Sequence, residues 1–212
     1  MTLVDAGGGR PRKDRWERLR TGLSQVLAVL ALLLACGVQS RWQDLRPGVA
    51  GLLYGAGLLL VAVASGGRSW CSLYVSGRKD AQLTTDGPYS LCRNPLYLFS
   101  AIGAIGVGLC TRTLTAPLLL IALFALYYPG IIRREEGRLS VLFGEDYRRY
   151  CASTPRFFPS ARGWREPETW QVNPRRFRRH LVDDAMFIWV AALLAVIEGL
   201  QGRLLPHLWA LW

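Results

Sequence analysis

The chain has 212 residues, of which 51% are hydrophobic and 19% are charged, and its formal net charge is +11. These totals alone do not separate a soluble domain from a membrane protein. The charges, however, collect between apolar runs of nearly 20 residues, which a bilayer requires and a soluble core rarely does. Basic residues that flank apolar runs suit lipid headgroups better than nucleic acid, so we expect a bilayer partner and no nucleic-acid partner.

Cysteine and histidine are too sparse for ordinary metal or disulfide sites. The five cysteines, at positions 36, 71, 92, 110 and 151, form no C-x-x-C pair, and their odd number argues against a disulfide framework. They are better interpreted as small packing residues. Only two histidines, His180 and His207, are present, so we expect no zinc or iron site of the usual kind and no metal partner.

Apolar runs in chain order predict an all-α, polytopic membrane bundle with about five spanning helices. The runs cover residues 22–39, 49–65, 96–110, 114–132 and 185–200, with polar connections at 66–95 and 133–184. No cleavable signal peptide is recognisable in the basic N-terminal segment. We divide the chain into a basic arm (1–21), a core of four spans with a cytoplasmic amphipathic helix (22–160), and an extension carrying the fifth span (161–212).

The distribution of basic residues predicts the orientation. With a cytoplasmic N-terminus, all but four of the 26 Lys and Arg residues lie on the cytoplasmic side, as the positive-inside rule requires. The exceptions are Arg41, Arg46, Arg112 and Arg203. In this multi-pass arrangement the third and fourth runs form a hairpin, so residues 81–97 and 133–150 should be neighbours on the cytoplasmic face.

The first motif, residues 87–97, reads GPYSLCRNPLY. Gly-Pro opens a turn, and Pro95 restricts Asn94 to extended conformations and suits the first position of a helix. The free N–H groups of that helix start can bind an anion, and Arg93 beside them can bind a carboxylate through two hydrogen bonds. The alternative is a plain membrane-entry turn, with Arg93 reaching the headgroups and the tyrosines lying at the interface.

The second motif, residues 133–150, reads RREEGRLSVLFGEDYRRY and is followed by PRFFP. Its apolar positions recur at helical spacing and predict an amphipathic helix. The acidic pair Glu135 and Glu136 is unusual at a membrane exit, where basic residues usually anchor the chain. A carboxylate there can accept from ribose hydroxyls or pair with an ammonium group. The alternative is an ion pair with Arg93 or Arg138, which contributes little if exposed.

Together the two motifs resemble those of the membrane methyltransferases typified by isoprenylcysteine carboxyl methyltransferase and phosphatidylethanolamine N-methyltransferase. The family pattern is G-x-Y-x-x-x-R-[HN]-P-x-Y, a transmembrane hairpin, E-E-x-x-L-x-x-x-F-G-x-x-Y-x-x-Y, and P-R-F-x-P. The resemblance covers roughly residues 50–160, and it is the joint pattern, more than either half, that is specific.

This resemblance implies a methyltransferase with S-adenosylmethionine as cofactor and a lipid or small lipophilic acceptor. The implied cofactor contacts lie in the first motif, the strand before it and the acidic pair: Leu83, Thr84, Tyr89, Arg93, Asn94, Pro95, Leu96, Tyr97, Glu135 and Glu136. Ile131 stands where the family has a substrate-contacting arginine. A carboxylate acceptor would therefore need Arg133 or Arg134, and Arg134 is our candidate substrate contact. Asn94 and Phe99 replace a commoner histidine and a glycine.

Methyl transfer from a sulfonium is an in-line displacement that needs positioning and exclusion of water, and no general base stands out. Two other interpretations remain open: an NADPH-dependent sterol-type reductase on a similar scaffold, and a non-enzymatic membrane scaffold. Glu198 in the last run is a separate functional candidate, with snorkelling or pairing with Arg203 as its alternative.

Overall fold

A computed structural model describes residues 38–40, 46–76, 82–204 and 209–211, with side chains for 46–76 and 82–200. The elements in chain order are β1 (Val38–Ser40), α1 (Pro47–Val75), α2 (Pro88–Leu91), α3 (Pro95–Cys110), α4 (Thr115–Ser153), a 3-10 turn (Ala161–Gly163), α5 (Pro174–Asp184), α6 (Met186–Leu204) and β2 (Trp209–Leu211). The two short strands pair in parallel, with Val38 opposite Trp209. The predicted all-α class is confirmed for the described part of the chain, with this one strand pair added.

Among the described residues, three stretches of helix are long and apolar enough to cross a bilayer, namely α1, α4 and the combined α5–α6 segment Pro174–Leu200. Helix α3 is apolar but has only 16 residues. That length is about 24 Å, less than the roughly 30 Å of a hydrocarbon layer. Four of the five predicted apolar runs are therefore helical, and the membrane bundle is confirmed. The first run, residues 22–39, falls almost wholly outside the described residues, so the count of five spans stays a prediction.

The buried core is shared by α1, α3 and α6 and consists of Val61, Ala64, Val107, Cys110, Phe187, Ala191 and Leu194. Helices α1 and α3 touch backbone to backbone at two glycines. A Cβ on Gly57 would lie 2.7 Å from the Gly106 carbonyl oxygen, and one on Gly106 would lie 2.9 Å from that of Gly57. Such small-residue contacts let membrane helices approach closely. The outward faces carry exposed apolar side chains suited to lipid contact, among them Leu52, Leu59, Leu118, Leu126 and Val196.

The expectation that residues 66–95 form one polar connection was wrong, because α1 continues well beyond its predicted end. The helix tolerates Arg68 because the charge is compensated. Its Nη2 lies 3.2 Å from Asp184 Oδ1, and its Nη1 donates to Ser100 Oγ at 2.6 Å. The guanidinium carbon also lies 5.8 Å from the centre of the Phe187 ring. The sequence shows that Arg68 is charged, but it does not show that Asp184 is the buried partner that compensates this charge within the helix.

The turn between α3 and α4 is tied to the C-terminal helix by an ion pair. Arg112, in the left-handed region with φ 58°, places Nη1 2.9 Å from Glu198 Oε1, and its guanidinium carbon lies 4.9 Å from the centre of the Tyr54 ring. The candidate Glu198 therefore pairs with Arg112; the side chain of Arg203, the partner expected from sequence, lies outside the described residues. This contact secures the end of the bundle opposite the two motifs.

Candidate functional site

The first motif folds into a compact turn between α1 and α3. Gly87 has φ 58°, a conformation that favours glycine, and a Cβ there would lie 2.3 Å from the Tyr74 ring. Pro88 begins α2 and Pro95 begins α3, positions where the missing N–H costs nothing. Asn94 precedes α3 with φ −126° and ψ 50°, so it is non-helical without being fully extended.

The second motif meets the first at Glu136 on α4. Asn94 Nδ2 donates to Glu136 Oε1 at 3.2 Å and to the Arg156 carbonyl oxygen at 3.0 Å. Arg156 donates to both carboxylate oxygens of Glu136, from Nε at 3.2 Å and from Nη2 at 2.6 Å. Arg93 Nη2 lies 3.8 Å from Glu136 Oε1. These four residues form the Glu136 cluster, and they confirm that the hairpin brings the two motif segments together.

Residues 154–173, which we call the strap, return across the first motif and hold it by hydrogen bonds. The N–H groups of the motif and of the strap donate alternately: Arg93 to the Pro155 oxygen at 2.8 Å, Ser160 to the Leu91 oxygen at 3.0 Å, Gly87 to the Arg165 oxygen at 2.8 Å, and Arg165 to Ser90 Oγ at 3.2 Å. The motif turn is therefore fixed by chain that follows α4. Because an ordered backbone loses little further entropy on binding a ligand, such bracing pre-organises the turn.

Aromatic side chains join the strap to the end of α1. The ring centres of Tyr74 and Trp170 are 4.8 Å apart, and those of Trp70 and Trp164 are 5.7 Å apart. The Tyr74 hydroxyl donates to Glu166 Oε1 at 3.2 Å. Since the Tyr74 ring also covers Gly87, the strap, α1 and the motif turn pack as one unit.

The electrostatics of the site leave it with a positive excess. Burial raises the pKa of Cys92 to about 11, although a hydrogen bond from the Asn94 backbone partly opposes the rise. Burial also raises the pKa of Tyr89 well above its usual range, so both groups are neutral near pH 7. Burial lowers the pKa of Arg93, but hydrogen bonding to Cys151 and attraction to Glu136 outweigh it and raise the pKa. Two arginines thus face one carboxylate.

One polar atom of the cluster has no hydrogen-bond partner among the described residues. Arg93 Nε is buried and makes no hydrogen bond within the part of the chain that the structure describes. A buried donor without an acceptor is costly, and a ligand carboxylate or hydroxyl would satisfy it. The arrangement therefore suits an anionic group placed beside Arg93. In the described segments, no group of three or more His, Cys, Asp or Glu residues is placed to hold a metal ion.

Several other predicted contacts lie close to the cluster. Pro95, Leu96 and Tyr97 form the first turn of α3, and the Tyr97 ring meets Tyr128 of α4 edge to face at 5.5 Å between centres. The carbonyl oxygen of Tyr89 accepts a hydrogen bond from the Tyr150 hydroxyl at 2.7 Å. The first motif is therefore anchored to α4 at positions before and after Glu136, through Tyr97 of α3 and Tyr89 of α2.

The remaining predicted residues lie apart from the cluster. Leu83 and Thr84 are partly buried in irregular chain ahead of α2, where a strand was expected. Glu135 pairs with Arg138 one turn along α4 at 3.1 Å, and Arg134 is exposed on the same helix. The structure thus divides the acidic pair, with Glu136 facing the first motif and Glu135 facing along α4.

Sequence reasoning missed the role of Arg156. Arg156 is visible in the PRFFP segment, but the sequence does not indicate which carboxylate it pairs with.

Phe99, which replaces a glycine of the family pattern, is explained by its neighbour. A Cβ on Gly67 of α1 would lie 2.2 Å from the Phe99 ring, so the ring occupies space that a glycine in α1 leaves open.

Known proteins with similar sequences include methyltransferases and metal-resistance proteins. A family model described as phospholipid methyltransferase matches residues 48–146, a segment that contains both Arg93 and Glu136. The chain is 30% identical over 99 residues to protein-S-isoprenylcysteine O-methyltransferase of Schizosaccharomyces pombe, covering 46% of this chain and 42% of that protein.

Two bacterial proteins are similar over most of their length. The chain is 38% identical over 194 residues to the cobalt-zinc-cadmium resistance protein CzcN of Cupriavidus metallidurans, covering 92% of this chain and 87% of that protein. It is 37% identical over 181 residues to the nickel-cobalt-cadmium resistance protein NccN of Alcaligenes xylosoxydans xylosoxydans, covering 85% and 84%. No solved structure matches the chain.

Proposed function

We propose that this chain, which a phospholipid methyltransferase family model matches over residues 48–146, is a member of that family and transfers a methyl group from S-adenosylmethionine to a lipid or small lipophilic acceptor. The observation that carries this proposal is the Glu136 cluster, in which the two family motifs meet at hydrogen-bonding distance. Two independent membrane-anchoring segments would not need to contact the same carboxylate.

The residues of the cluster suit the polar groups of this cofactor. Its amino-acid end carries a carboxylate, which Arg93 with its unpaired Nε and the positive excess of the cluster would hold. Its ammonium group and ribose hydroxyls are donors, and Glu136 is an acceptor for such groups. When bound, the sulfonium supplies an activated methyl group. Glu135, Leu83 and Thr84 stay in the proposal as further contacts on the strength of the family pattern.

The chain itself would contribute positioning and exclusion of water. Arg93 and Glu136 have side chains only 17% and 16% exposed, Cys92 is fully buried, and the strap braces the turn between them. In-line transfer requires the reacting atoms to be held about 3 Å apart, and correct placement alone supplies a large part of such a rate enhancement. This chemistry agrees with a site that is rich in positioning groups and has no evident general base.

The setting in the membrane supports a lipophilic acceptor. Helix α4 exposes Leu118, Leu119 and Leu126 along its apolar part, so a substrate dissolved in the bilayer can approach the hairpin from the side. We place the cluster on the cytoplasmic face, where a charged cofactor is available, because nearly all Lys and Arg residues lie on that side of the predicted topology. The names of the two bacterial relatives suggest that the methylated product serves resistance to divalent metals.

Titration of the purified full-length chain with each cofactor tests the proposal. S-adenosylmethionine and its demethylated product should raise the unfolding temperature in detergent, since a ligand that binds the folded state stabilises it. Stabilisation by NADPH alone would favour the reductase interpretation, and no response to any of these compounds would favour a scaffold. Arg93→Ala should bind roughly ten- to a hundredfold more weakly.

A further inference from the structure

Helix α5 lies beside the last two turns of α1. At one end the Asn173 N–H donates to the Ser76 carbonyl oxygen at 3.3 Å, and at the other Asp184 pairs with Arg68 at 3.2 Å. Helix α5 therefore occupies the same level as residues 68–76. Residues 47–67 of α1 contain no charged residue, so α5 lies beside the part of α1 that follows this apolar stretch, and the end of α5 at Asp184 is level with Arg68.

Aromatic residues mark this level as the boundary between hydrocarbon and headgroups. Trp70 and Tyr74 of α1 pack against Trp164 and Trp170 of the strap. Tryptophan and tyrosine are enriched at membrane–water interfaces because one end of each ring is apolar and the other polar. Four such rings gathered at one level place α5 among the lipid headgroups.

One face of α5 continues into α6 as a stripe of exposed side chains. Helical hydrogen bonds cross the junction, from the Ala185 N–H to the Leu181 oxygen at 3.0 Å and from the Trp189 N–H to the Ala185 oxygen at 3.1 Å. At spacings of three and four residues, one face then presents three arginines followed by three apolar residues. We call these the outer stripe: Arg175, Arg178, Arg179, Val182, Met186 and Trp189.

The stripe is open along its whole length. The three arginines are exposed, and Val182, Met186 and Trp189 are 67%, 45% and 68% exposed. Within the described residues, none of the three arginines makes an ion pair. By contrast, the exposed Arg148 and Arg149 of α4 pair with the acidic residues three positions before them.

We propose that the outer stripe binds an anionic phospholipid. Its phosphate would meet the arginines, whose planar guanidinium groups match phosphate oxygens, and its acyl chains would lie along Val182, Met186 and Trp189. The order of the stripe, cations at the headgroup level and apolar side chains toward the bilayer interior, matches the order of a phospholipid. The uncompensated positive charge selects a lipid with a net negative charge over a zwitterionic one. This inference rests on the membrane setting and not on the proposed catalytic function.

Lipid titration of the full-length chain tests this inference. Purified protein in neutral detergent would receive phosphatidylglycerol or phosphatidylcholine with identical acyl chains, and bound lipid would be counted by native mass spectrometry alongside thermal unfolding. We expect phosphatidylglycerol to bind preferentially and to raise the unfolding temperature more. The triple variant Arg175→Gln, Arg178→Gln, Arg179→Gln should lose at least about tenfold of that preference. The matched control Arg148→Gln, Arg149→Gln removes two exposed but paired charges and should retain it.

Equal binding of the two lipids by the parent protein would overturn the inference, as would a triple variant that still prefers phosphatidylglycerol. Equal stabilisation by soluble glycerophosphoglycerol would also overturn it, because the site would then recognise a free phosphate without acyl chains. If the triple variant does not fold, the preference for phosphatidylglycerol is measured instead in the single variant Arg178→Gln and in the parent protein at increasing salt concentration. A preference that neither change reduces would overturn the inference. At about 1 M salt the Debye length is only about 3 Å, so attraction between the arginines and the lipid phosphate is screened. The preference for the anionic lipid must then shrink.

Discussion

Replacing Glu136 by alanine removes the acceptor that joins the two motifs. The carboxylate accepts hydrogen bonds from Asn94 at 3.2 Å and from two nitrogens of Arg156 at 3.2 and 2.6 Å, and it lies 3.8 Å from Arg93. Its loss leaves two arginines without their counter-charge. Glu136→Gln is the companion variant, because it keeps the shape and one acceptor oxygen while removing the charge.

The expected loss of stability depends on how exposed the partners of Glu136 are. A hydrogen bond to a charged group is worth about 1.5–3 kcal/mol, but the Arg156 side chain is 46% exposed and can be rehydrated, so its share must be discounted. We expect Glu136→Ala to lower the free energy of unfolding by about 1–2 kcal/mol. For a chain of this size that corresponds to a fall in unfolding temperature of roughly 2–8 °C. Glu136→Gln should fall between the parent protein and Glu136→Ala.

The effect on ligand binding separates a site from a structural contact. Binding isotherms for S-adenosylmethionine should weaken roughly ten- to a hundredfold in Glu136→Ala. The control is Glu145→Ala, which removes an equally acidic residue whose side chain is 69% exposed and pairs with Arg148 at 3.4 Å; it should change stability by less than about 0.5 kcal/mol. If Glu136→Ala unfolds and binds like Glu145→Ala, the reasoning that joins the two motifs into one site is refuted.

Other predictions concern the fold, the thiols, the substrate and the orientation. Gly57→Ala should lower the unfolding temperature, because its methyl group would meet the Gly106 carbonyl oxygen at 2.7 Å, whereas Gly55→Ala meets nothing within 4 Å and should be neutral or stabilising; equal melting of the two variants would contradict the close helix contact. Burial raises the pKa of Cys92 to about 11, so the folded state holds this thiol in its neutral form. This contribution to the stability of the folded protein is complete below about pH 9 and is lost as the pH rises through 11. Mass spectrometry should therefore find Cys92 alkylated at pH 8 far more slowly in the native protein than in the unfolded one, and equal rates would argue against its burial. A farnesylated cysteine analogue should be a poor acceptor because Ile131 supplies no cation, and efficient methylation that is lost in Arg134→Ala would show this view of the acceptor to be wrong. Reporter fusions at residues 45, 80, 112, 165 and 212 should report outside, inside, outside, inside and outside in turn, and a cytoplasmic signal at residue 212 would remove the last span.

The sequence by itself determined the elements that local chemistry specifies. Uncharged runs of bilayer length favour helices, because a helix satisfies every backbone hydrogen bond in the hydrocarbon layer within its own segment. Pro95 marks the start of a helix for the equally local reason that proline lacks an N–H. The approach of residues 81–97 to residues 133–150 also followed from sequence, since a hairpin that crosses the membrane twice returns to the face it left.

What only the tertiary structure decided are the pairings between distant residues. Both glutamates of the acidic pair had plausible arginine partners in the sequence. The rotation of α4 about its axis turns Glu136 toward Asn94 and leaves Glu135 beside Arg138. The extension of α1 past Arg68 likewise depends on Asp184, more than a hundred residues later in the chain. The strap and Arg156 went unrecognised because backbone hydrogen bonds and ion pairs form at specific distances, and residue types and their spacing along the chain do not specify distances between separate elements.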